Sequence, residues 1–104
     1  ENEIGVKMKS ANVLYNACFG GYIISQQAVD YLNQKYGWDK DSSDLAEMRH
    51  DPRIVELFIE KGSEWMSGDC SKIEMIEIEA DGYRIDYYDG KETVRECYAN
   101  FTIL

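Results

Sequence analysis

Two adjacent glycines and a serine form the first group of residues that could bind an anion. Gly20 and Gly21 follow an apolar run that contains Cys18, and Ser25 precedes a helical pattern. Glycine permits positive φ and lets a ligand approach the main chain closely. A helix that begins after Ser25 would present its positive end to negative charge. We therefore predict that Gly20, Gly21 and Ser25 contact phosphate.

A second group of candidates surrounds the start of a later helix. Asp51 followed by Pro52 is a specific signal for a helix N-terminus, and Arg49 and Arg53 flank it. Guanidinium groups bind phosphate oxygens through paired N–H donors, so both arginines are candidate ligands. The rings of Tyr22, Trp38, Tyr87 and Tyr88 could stack on a nucleobase, and we favour Tyr22 or Tyr88. The structural alternative is that the serine caps a helix, the arginines pair with carboxylates and the rings pack in the core.

An enzyme is a weaker interpretation of the same residues. Cys18 and His50 could act as nucleophile and base, but no third residue is indicated that would orient the base. A cysteine in a buried strand usually serves packing. The pair Gly20-Gly21 lacks the glycine spacing of a dinucleotide site and the Gly-Lys-Ser/Thr ending of a P-loop. We predict no catalytic residue and a protein that is not an enzyme.

The cysteine and histidine content limits metal and redox chemistry. The 104 residues include three cysteines, without a Cys-x-x-Cys pair, and one histidine. An odd number of cysteines fits a reducing cytosol better than a disulfide scaffold, and one histidine excludes a histidine-rich zinc site. We predict no metal, no cofactor and a cytoplasmic location. The apolar runs are shorter than the ~20 residues of a membrane span, so no membrane partner is expected.

The formal net charge of −9 argues against a nucleic-acid partner, because nucleic-acid binding requires a basic patch. Acidic residues are spread through 39–64 and 74–96. They either keep a solvated surface soluble or mimic nucleic acid in the basic cleft of another protein. A small anion could still bind in a local basic pocket, because salt screens charges beyond ~8–10 Å.

The periodicity predicts two main helices that position the candidate residues. The first spans 26–36, with Ser25 as its N-cap and Gly37 at its C-terminal end. The second spans 52–67 and begins at the Asp51-Pro52 signal. Between them, residues 45–48 are predicted to form one helical turn capped by Asp44.

Strand patterns precede and follow the helices. Residues 13–19 are an apolar run typical of a strand buried on both faces. A three-strand meander is predicted from Lys72 to Cys97, with a tight hairpin turn at Asp89-Gly90. The alternation slips between Met75 and Ile76, which indicates a bulge.

These elements predict a single α+β domain over residues 1–104. Its mostly antiparallel sheet would combine the N-terminal strand with the C-terminal three-strand meander, and two helices would pack on one face. The apolar residues 98–104 are predicted to pair as an edge strand or to lie in an interface. We predict a homo-oligomer, a dimer or higher, because a two-fold interface would bury such a segment and would create pockets at its seam.

Three motifs in the chain resemble a family of small, mostly uncharacterised proteins of bacteriophages, prophages and large DNA viruses. The motifs are Asn-Ala-Cys-Phe-Gly-Gly-Tyr at 16–22 with Ser25, Arg-His-Asp-Pro-Arg at 49–53, and Tyr-Asp-Gly at 88–90. The resemblance covers about residues 13 to 94, and the Cys-Phe-Gly-Gly motif is its most specific part. Where such proteins continue with an aromatic residue, glycine and leucine, this chain has 22–24, Tyr-Ile-Ile.

The resemblance implies a function in the conflict between phage and host. Small phage proteins often counter host defence, and some sequester nucleotide signals of host immunity. By this analogy we expect a protein of the host cytoplasm that binds a small nucleotide-like ligand, cyclic or related to ADP-ribose, without turnover. The ligand would contact Gly20, Gly21, Ser25, Arg49 and Arg53 and would stack on Tyr22 or Tyr88. The alternative is an acidic protein that inhibits a host defence enzyme by direct protein–protein binding.

Overall fold

The computed structural model describes residues 10–97 and the short strand Thr102–Ile103. The strands are β1 (Ser10–Asn16), β2 (Ile73–Glu79), β3 (Gly82–Tyr88), β4 (Lys91–Cys97) and β5 (Thr102–Ile103). The helices are α1 (Gln26–Tyr36), α2 (Ser42–Leu45), α3 (Pro52–Lys61) and α4 (Ser63–Met66). The predicted α+β class is confirmed.

The strands form two antiparallel sheets, so the prediction of one continuous sheet is wrong. β1 pairs with β2 in one sheet, and β3 lies between β4 and β5 in the other. β2 pairs with β1 along its whole length. Among the described strands it has no other partner, so the β2–β3 pairing expected in the meander is absent. Most of segment 98–104 lies outside the described residues, while Thr102 and Ile103 pair with the start of β3.

The ribbon of β1 and β2 is a middle layer with a different partner on each face. Leu14 and Ile73 belong to the core that contains the helices, whereas Val13 and Ile78 pack with Tyr83 of β3. Successive strand residues point to opposite faces, so the helices cover one face and the β3–β4 hairpin covers the other. The prediction that the first strand is buried on both faces is confirmed for Val13 and Leu14. Its predicted bounds, 13–19, are wrong, because β1 spans Ser10–Asn16 and the chain leaves the strand before the exposed Phe19.

The same layering explains the interrupted alternation in β2. The register from Ser10↔Glu79 to Asn16↔Ile73 is continuous, so the predicted bulge is absent from this pairing. Met75 packs toward the helices, while its neighbour Ile76 lies on the opposite face and is 39% exposed. Adjacent apolar residues in β2 therefore reflect apolar partners on both sides of the ribbon rather than an inserted residue.

The first helix begins and ends as predicted. Ser25 accepts a hydrogen bond from the Ala28 N–H at the N-terminus of α1, and Gly37 closes the helix in the left-handed conformation with φ 69°. The predicted turn at 45–48 is displaced, because Asp41 and Asp44 form a capping box that starts α2 at Ser42.

The predicted second helix is interrupted. α3 begins as expected, with Asp51 as N-cap and Pro52 in its first turn. Gly62 has φ 90°, which stops α3 at Lys61 and starts the separate turn α4. The prediction of one continuous helix over 52–67 is therefore wrong. Gly62 adopts a positive φ that is incompatible with a helix, and the chain changes direction there.

The tight turn between β3 and β4 is confirmed. Asp89 and Gly90 have φ values of 53° and 87°, the positive pair required by the two-residue turn that suits twisted hairpins. Tyr88 pairs with Lys91 next to the turn, and the hairpin tip lies against Gly20 and Gly21.

Candidate functional site

The Gly20-Gly21 segment is packed between two other parts of the chain. A Cβ placed on Gly20 would lie 1.8 Å from the main-chain oxygen of Cys70. A Cβ placed on Gly90 would lie 2.8 Å from the nitrogens of both Gly20 and Gly21. Gly21 itself has φ 100°. The main chain that was predicted to approach a phosphate approaches the Cys70 loop and the hairpin tip instead.

The Asn16 side chain connects the segment before the glycines, the hairpin tip and the loop after Cys70 through hydrogen bonds. Its Nδ2 donates hydrogen bonds to the main-chain oxygens of Cys18 and, at 2.9 Å, Gly90. Its Oδ1 accepts from the Lys72 N–H at 2.8 Å and from the Cys18 N–H at 3.4 Å. Because Asn16 is fully buried, these bonds satisfy an amide that would otherwise be costly to bury.

Arg49 lies in a buried ion pair. Its Nη1 and Nη2 donate to the two carboxylate oxygens of Glu92 at 2.5 and 2.9 Å, and its Nε donates to the Ala46 oxygen at 2.7 Å. The two charged side chains are only 8% and 1% exposed. Glu92 also accepts the Asn16 main-chain N–H at 2.9 Å. Burial lowers the pKa of Arg49, but the hydrogen bonds and charge of Glu92 outweigh it and raise the pKa above its usual value.

Tyr22 lies against this ion pair. The Arg49 guanidinium carbon is 3.8 Å from the centre of the Tyr22 ring. The Tyr22 hydroxyl is buried and has no hydrogen-bond partner within the described chain. Burial raises the pKa of Tyr22 far above its ordinary value, so the hydroxyl is neutral at physiological pH. We name Asn16, Tyr22, Arg49 and Glu92 the buried polar cluster.

Ser25 is occupied by the fold as well. Besides capping α1, its hydroxyl donates to the Trp65 oxygen at 2.8 Å. A groove of about 470 Å³ adjoins this helix start. Its lining residues are Ile23, Ile24, Ser25, Gln26, Ser42, Ser67, Gly68 and Asp69. The one charged side chain in this lining is acidic, which opposes a phosphate.

Arg53 has its own partners, separate from those of Arg49. Its Nε and Nη2 donate to the Asp51 carboxylate at 2.9 and 2.7 Å, and the guanidinium lies 4.5 Å from the Trp38 ring centre. The hydrogen bonds from Arg53 hold the pKa of Asp51 below its usual value. The two arginines that were predicted to share a phosphate are therefore each paired with a carboxylate.

Tyr88 belongs to a different surface. It is 76% exposed and makes an edge-to-face contact with Phe19, which is 58% exposed, at 6.3 Å between ring centres. Lys91 lies with its Nζ 5.5 Å from the Phe19 ring centre. We name Phe19, Tyr88 and Lys91 the aromatic patch. It joins the tip of the β3–β4 hairpin to the segment that precedes the two glycines.

Cys18 and His50 have separate environments. The Cys18 Sγ lies 3.6 Å from Asn16 Oδ1 and 3.4 Å from the Cys70 oxygen. The His50 Nδ1 lies 2.8 Å from the Tyr83 hydroxyl. Burial raises the pKa of Tyr83 to about 12, although the charge of Arg49 lowers it. The nucleophile and base considered for an enzyme therefore have different hydrogen-bond partners.

Comparison with protein-family models, with curated proteins and with solved structures gave no match. The resemblance to small phage and viral proteins therefore stays a prediction. Among the described residues, no helix is long and apolar enough to cross a membrane. Within residues 10–97, no group of three or more histidine, cysteine or acidic side chains could hold a metal ion.

Two of the residues that organise this region were missed by sequence reasoning. Asn16 ends a strand and Glu92 sits in an alternating polar strand, so neither differs from a surface residue by local pattern. Phe19 belongs to the apolar run and to the Cys-Phe-Gly-Gly motif, and neither pattern predicts its exposure. The one sequence signal near these residues is the Asp89-Gly90 turn. It predicts a hairpin tip, but it does not predict which residues the tip contacts.

Proposed function

We propose that this chain is a stoichiometric binding protein that covers a basic surface of a partner protein. The observation that carries the proposal is the aromatic patch: Phe19 and Tyr88 contact each other yet remain more than half exposed. This is the second of the two functions expected from the sequence, direct protein–protein inhibition. A host defence enzyme would be a partner of the expected kind.

The size of the patch suits an anchor for a larger contact. Aromatic side chains bury 150–250 Å² each, so the exposed parts of Phe19 and Tyr88 amount to roughly 300 Å². Stable interfaces bury about 800 Å² on each partner, and a few central aromatic residues usually supply most of the binding energy. The surrounding contact would come from polar residues at the rim.

The charge of the chain selects the kind of partner. A net charge of −9 favours encounter with a positively charged surface and repels an acidic one. At the patch, the exposed Asp89 at the hairpin tip is offset by Lys91 beside Phe19, so the preference for a basic partner rests on the net charge of the chain. Binding should accordingly weaken as salt increases, because rim charges are screened.

Nucleotide sequestration stays a prediction with less support from the geometry. Arg49 and Arg53 are paired with carboxylates, the glycine segment is packed, and the Tyr22 ring lies under a guanidinium. A ligand would have to displace these internal contacts before it gained its own. Tyr88 is the predicted ligand residue that offers an open ring.

Binding measurements on the aromatic patch test the proposal. Partners from a host lysate are captured, identified and purified, and their affinity is measured for the wild type and the double variant Phe19→Ala/Tyr88→Ala. We expect a basic partner, weaker binding at higher salt, and at least a tenfold loss in the double variant, or ~1.4 kcal/mol. Ile59→Ala is the matched control, because Ile59 is an apolar side chain that is 62% exposed on α3.

Two results would count against the proposal. One is a partner whose affinity is the same for the wild type and the double variant, which would show that the aromatic patch is not the binding surface. The other is thermal stabilisation by cyclic dinucleotides, cyclic trinucleotides or ADP-ribose derivatives, where a ligand at 100 times its Kd adds ~2.7 kcal/mol. If a nucleotide stabilises the chain, Arg53→Ala then shows whether the predicted phosphate residue takes part.

A further inference from the structure

We infer that Cys18 and Cys70 form an intramolecular disulfide when the protein meets a small-molecule disulfide such as oxidised glutathione. The Cys18 Sγ lies 3.4 Å from the main-chain oxygen of Cys70 itself. Cys70 is exposed, and Cys18 is half-buried beside it. The inference concerns a modification site and does not depend on the proposed protein partner.

The two cysteines lie on segments that are already held together. Asn16 Oδ1 accepts hydrogen bonds from the N–H groups of both Cys18 and Lys72, and the Ala17 N–H donates to the Lys72 oxygen at 2.8 Å. A Cβ placed on Gly20 would lie 3.0 Å from the Cys70 Cβ, so the segment after Cys18 touches the Cys70 side chain. Prior positioning of both segments reduces the conformational entropy that ring closure must cost.

The third cysteine is distinct from this pair. Cys97 is buried in β4, where its Sγ lies 3.5 Å from the Arg95 oxygen. It pairs in register with Gly82 of β3, away from the contact between Cys18 and Cys70. The three cysteines thus divide into a juxtaposed pair and one separate buried thiol, which the sequence spacing did not reveal.

Thiol–disulfide exchange completes the reaction without another reactant. The exposed Cys70 thiolate attacks one sulfur of oxidised glutathione, which forms a mixed disulfide and releases one glutathione thiolate. The Cys18 thiolate then attacks the Cys70 sulfur and releases the second glutathione. One S–S bond breaks and one forms, the two protein thiols are oxidised, and their protons end on the two reduced glutathione molecules.

The bond would enclose the chain between Cys18 and Cys70, which contains α1 to α4. Cross-linking across a segment of this length restricts the unfolded chain more than the folded one, so it raises the melting temperature. It would also fix the residue that precedes Phe19 of the aromatic patch. The ring would close between two segments that are already in contact in the fold.

Mass spectrometry of the whole chain in glutathione redox buffers tests the inference. We expect the wild type to lose the mass of two hydrogen atoms, with Cys18 and Cys70 linked in the peptide map. Cys97→Ser, the matched control, should behave in the same way. Cys18→Ser should stop at a glutathione adduct on Cys70, and Cys70→Ser should not form the link. The melting temperature should rise on oxidation only in the first two proteins.

Three outcomes would overturn the inference. They are a glutathione adduct that persists on Cys70 in the wild type, a bond that includes Cys97, and exclusively intermolecular cross-links. Circular dichroism of each reduced variant shows whether the fold is retained. If Cys18→Ser fails to fold, alkylation of Cys18 and Cys70 in the folded wild type before oxidation replaces it, and it must abolish the mass loss.

Discussion

The buried polar cluster and the aromatic patch lie on either side of the same short segment, and they differ in what holds them. In the cluster, Asn16, Arg49 and Glu92 satisfy one another through charged and neutral hydrogen bonds in the interior. In the patch, Phe19 and Tyr88 touch each other and are otherwise open to solvent. Arg49, which was predicted to bind phosphate, thus makes interior contacts of the fold. The aromatic rings of Phe19 and Tyr88 are exposed.

The comparison shows why a ligand-binding role cannot be inferred from residue type and spacing alone. An arginine beside a helix start is a suitable phosphate ligand only if its guanidinium has no internal partner. Glu92 comes from a strand far along the chain and takes that place at Arg49. The hairpin that carries Glu92 also carries Tyr88, so one element closes the interior cluster and presents the exposed ring.

The largest expected effect tests the interior side of the comparison. Glu92→Gln leaves the Arg49 charge buried without its counter-ion, which costs about 3–5 kcal/mol for a broken buried ion pair. Urea denaturation measures the loss of unfolding free energy. Glu77→Gln, at an exposed glutamate of β2, is the matched control and should change it by less than about 0.5 kcal/mol.

The double variant Arg49→Met/Glu92→Leu removes both the attraction between the two charges and the cost of burying them. Apolar replacement of a whole buried ion pair is often neutral or stabilising. Because it also leaves the buried Asn16 N–H without its Glu92 acceptor, at about 1–3 kcal/mol, the double variant should recover only part of the stability lost in Glu92→Gln. A double variant that is less stable than the single one would contradict this account. It would show that the cluster stabilises the fold beyond the pairing of its charges.

A smaller effect is expected where the two regions meet. Gly20→Ala places a Cβ against the Cys70 main-chain oxygen, which cannot rotate away, and should cost about 2 kcal/mol. Gly21→Ala is the comparison variant, because its Cβ would meet no atom within 4 Å and only the φ of 100° opposes it, at about 1 kcal/mol. Equal losses of unfolding free energy in the two variants would show that the segment is not tightly packed.

The elements that could be predicted from the sequence are those with local signals. Ser25 and Gly37 delimit α1, Asp51 starts α3, and the Asp89-Gly90 turn connects two strands; each depends on neighbours within a few residues. Side-chain capping and positive φ are properties of short segments, so they can be recognised without the fold.

The pairing of distant segments could not be predicted in the same way. β1 pairs with β2 across most of the chain, and the meander that local turns suggested does not include β2. Asn16 and Glu92 acquire their partners only through this long-range arrangement. The sequence therefore did not indicate that Glu92 pairs with Arg49 or that Gly90 packs against the glycine segment. The phosphate site stays a prediction.

The ion pair of Arg53 and Asp51 is more exposed than that of Arg49 and Glu92, so we expect it to contribute less to stability. Asp51 has a pKa held below its usual value by hydrogen bonds from Arg53, so its folded-state pKa lies below the unfolded one. Its contribution to stability is present above the unfolded pKa of about 3.9 and is lost as pH falls through the folded pKa. Asp51→Asn keeps an N-cap acceptor and should remove this acid-dependent part of the unfolding free energy.

The control for that measurement is Asp51→Ala, which also removes the cap and should cost ~1 kcal/mol at neutral pH. Urea denaturation between pH 2 and 7 compares both variants with the wild type, at pH values that bracket the ordinary carboxyl pKa. An unchanged acid dependence in Asp51→Asn would mean that other carboxylates produce the acid sensitivity of the fold.

The smallest expected effect compares one tyrosine from each region. Tyr22→Phe removes a buried hydroxyl that has no partner in the described chain, so it should stabilise the protein by up to about 1 kcal/mol. Tyr88→Phe removes a hydroxyl from a ring that is 76% exposed and should leave the unfolding free energy unchanged. Thermal and urea denaturation of the two variants provide the measurement. A loss of stability in Tyr22→Phe would show that its hydroxyl has a partner, such as a bound water, that the protein contacts do not supply.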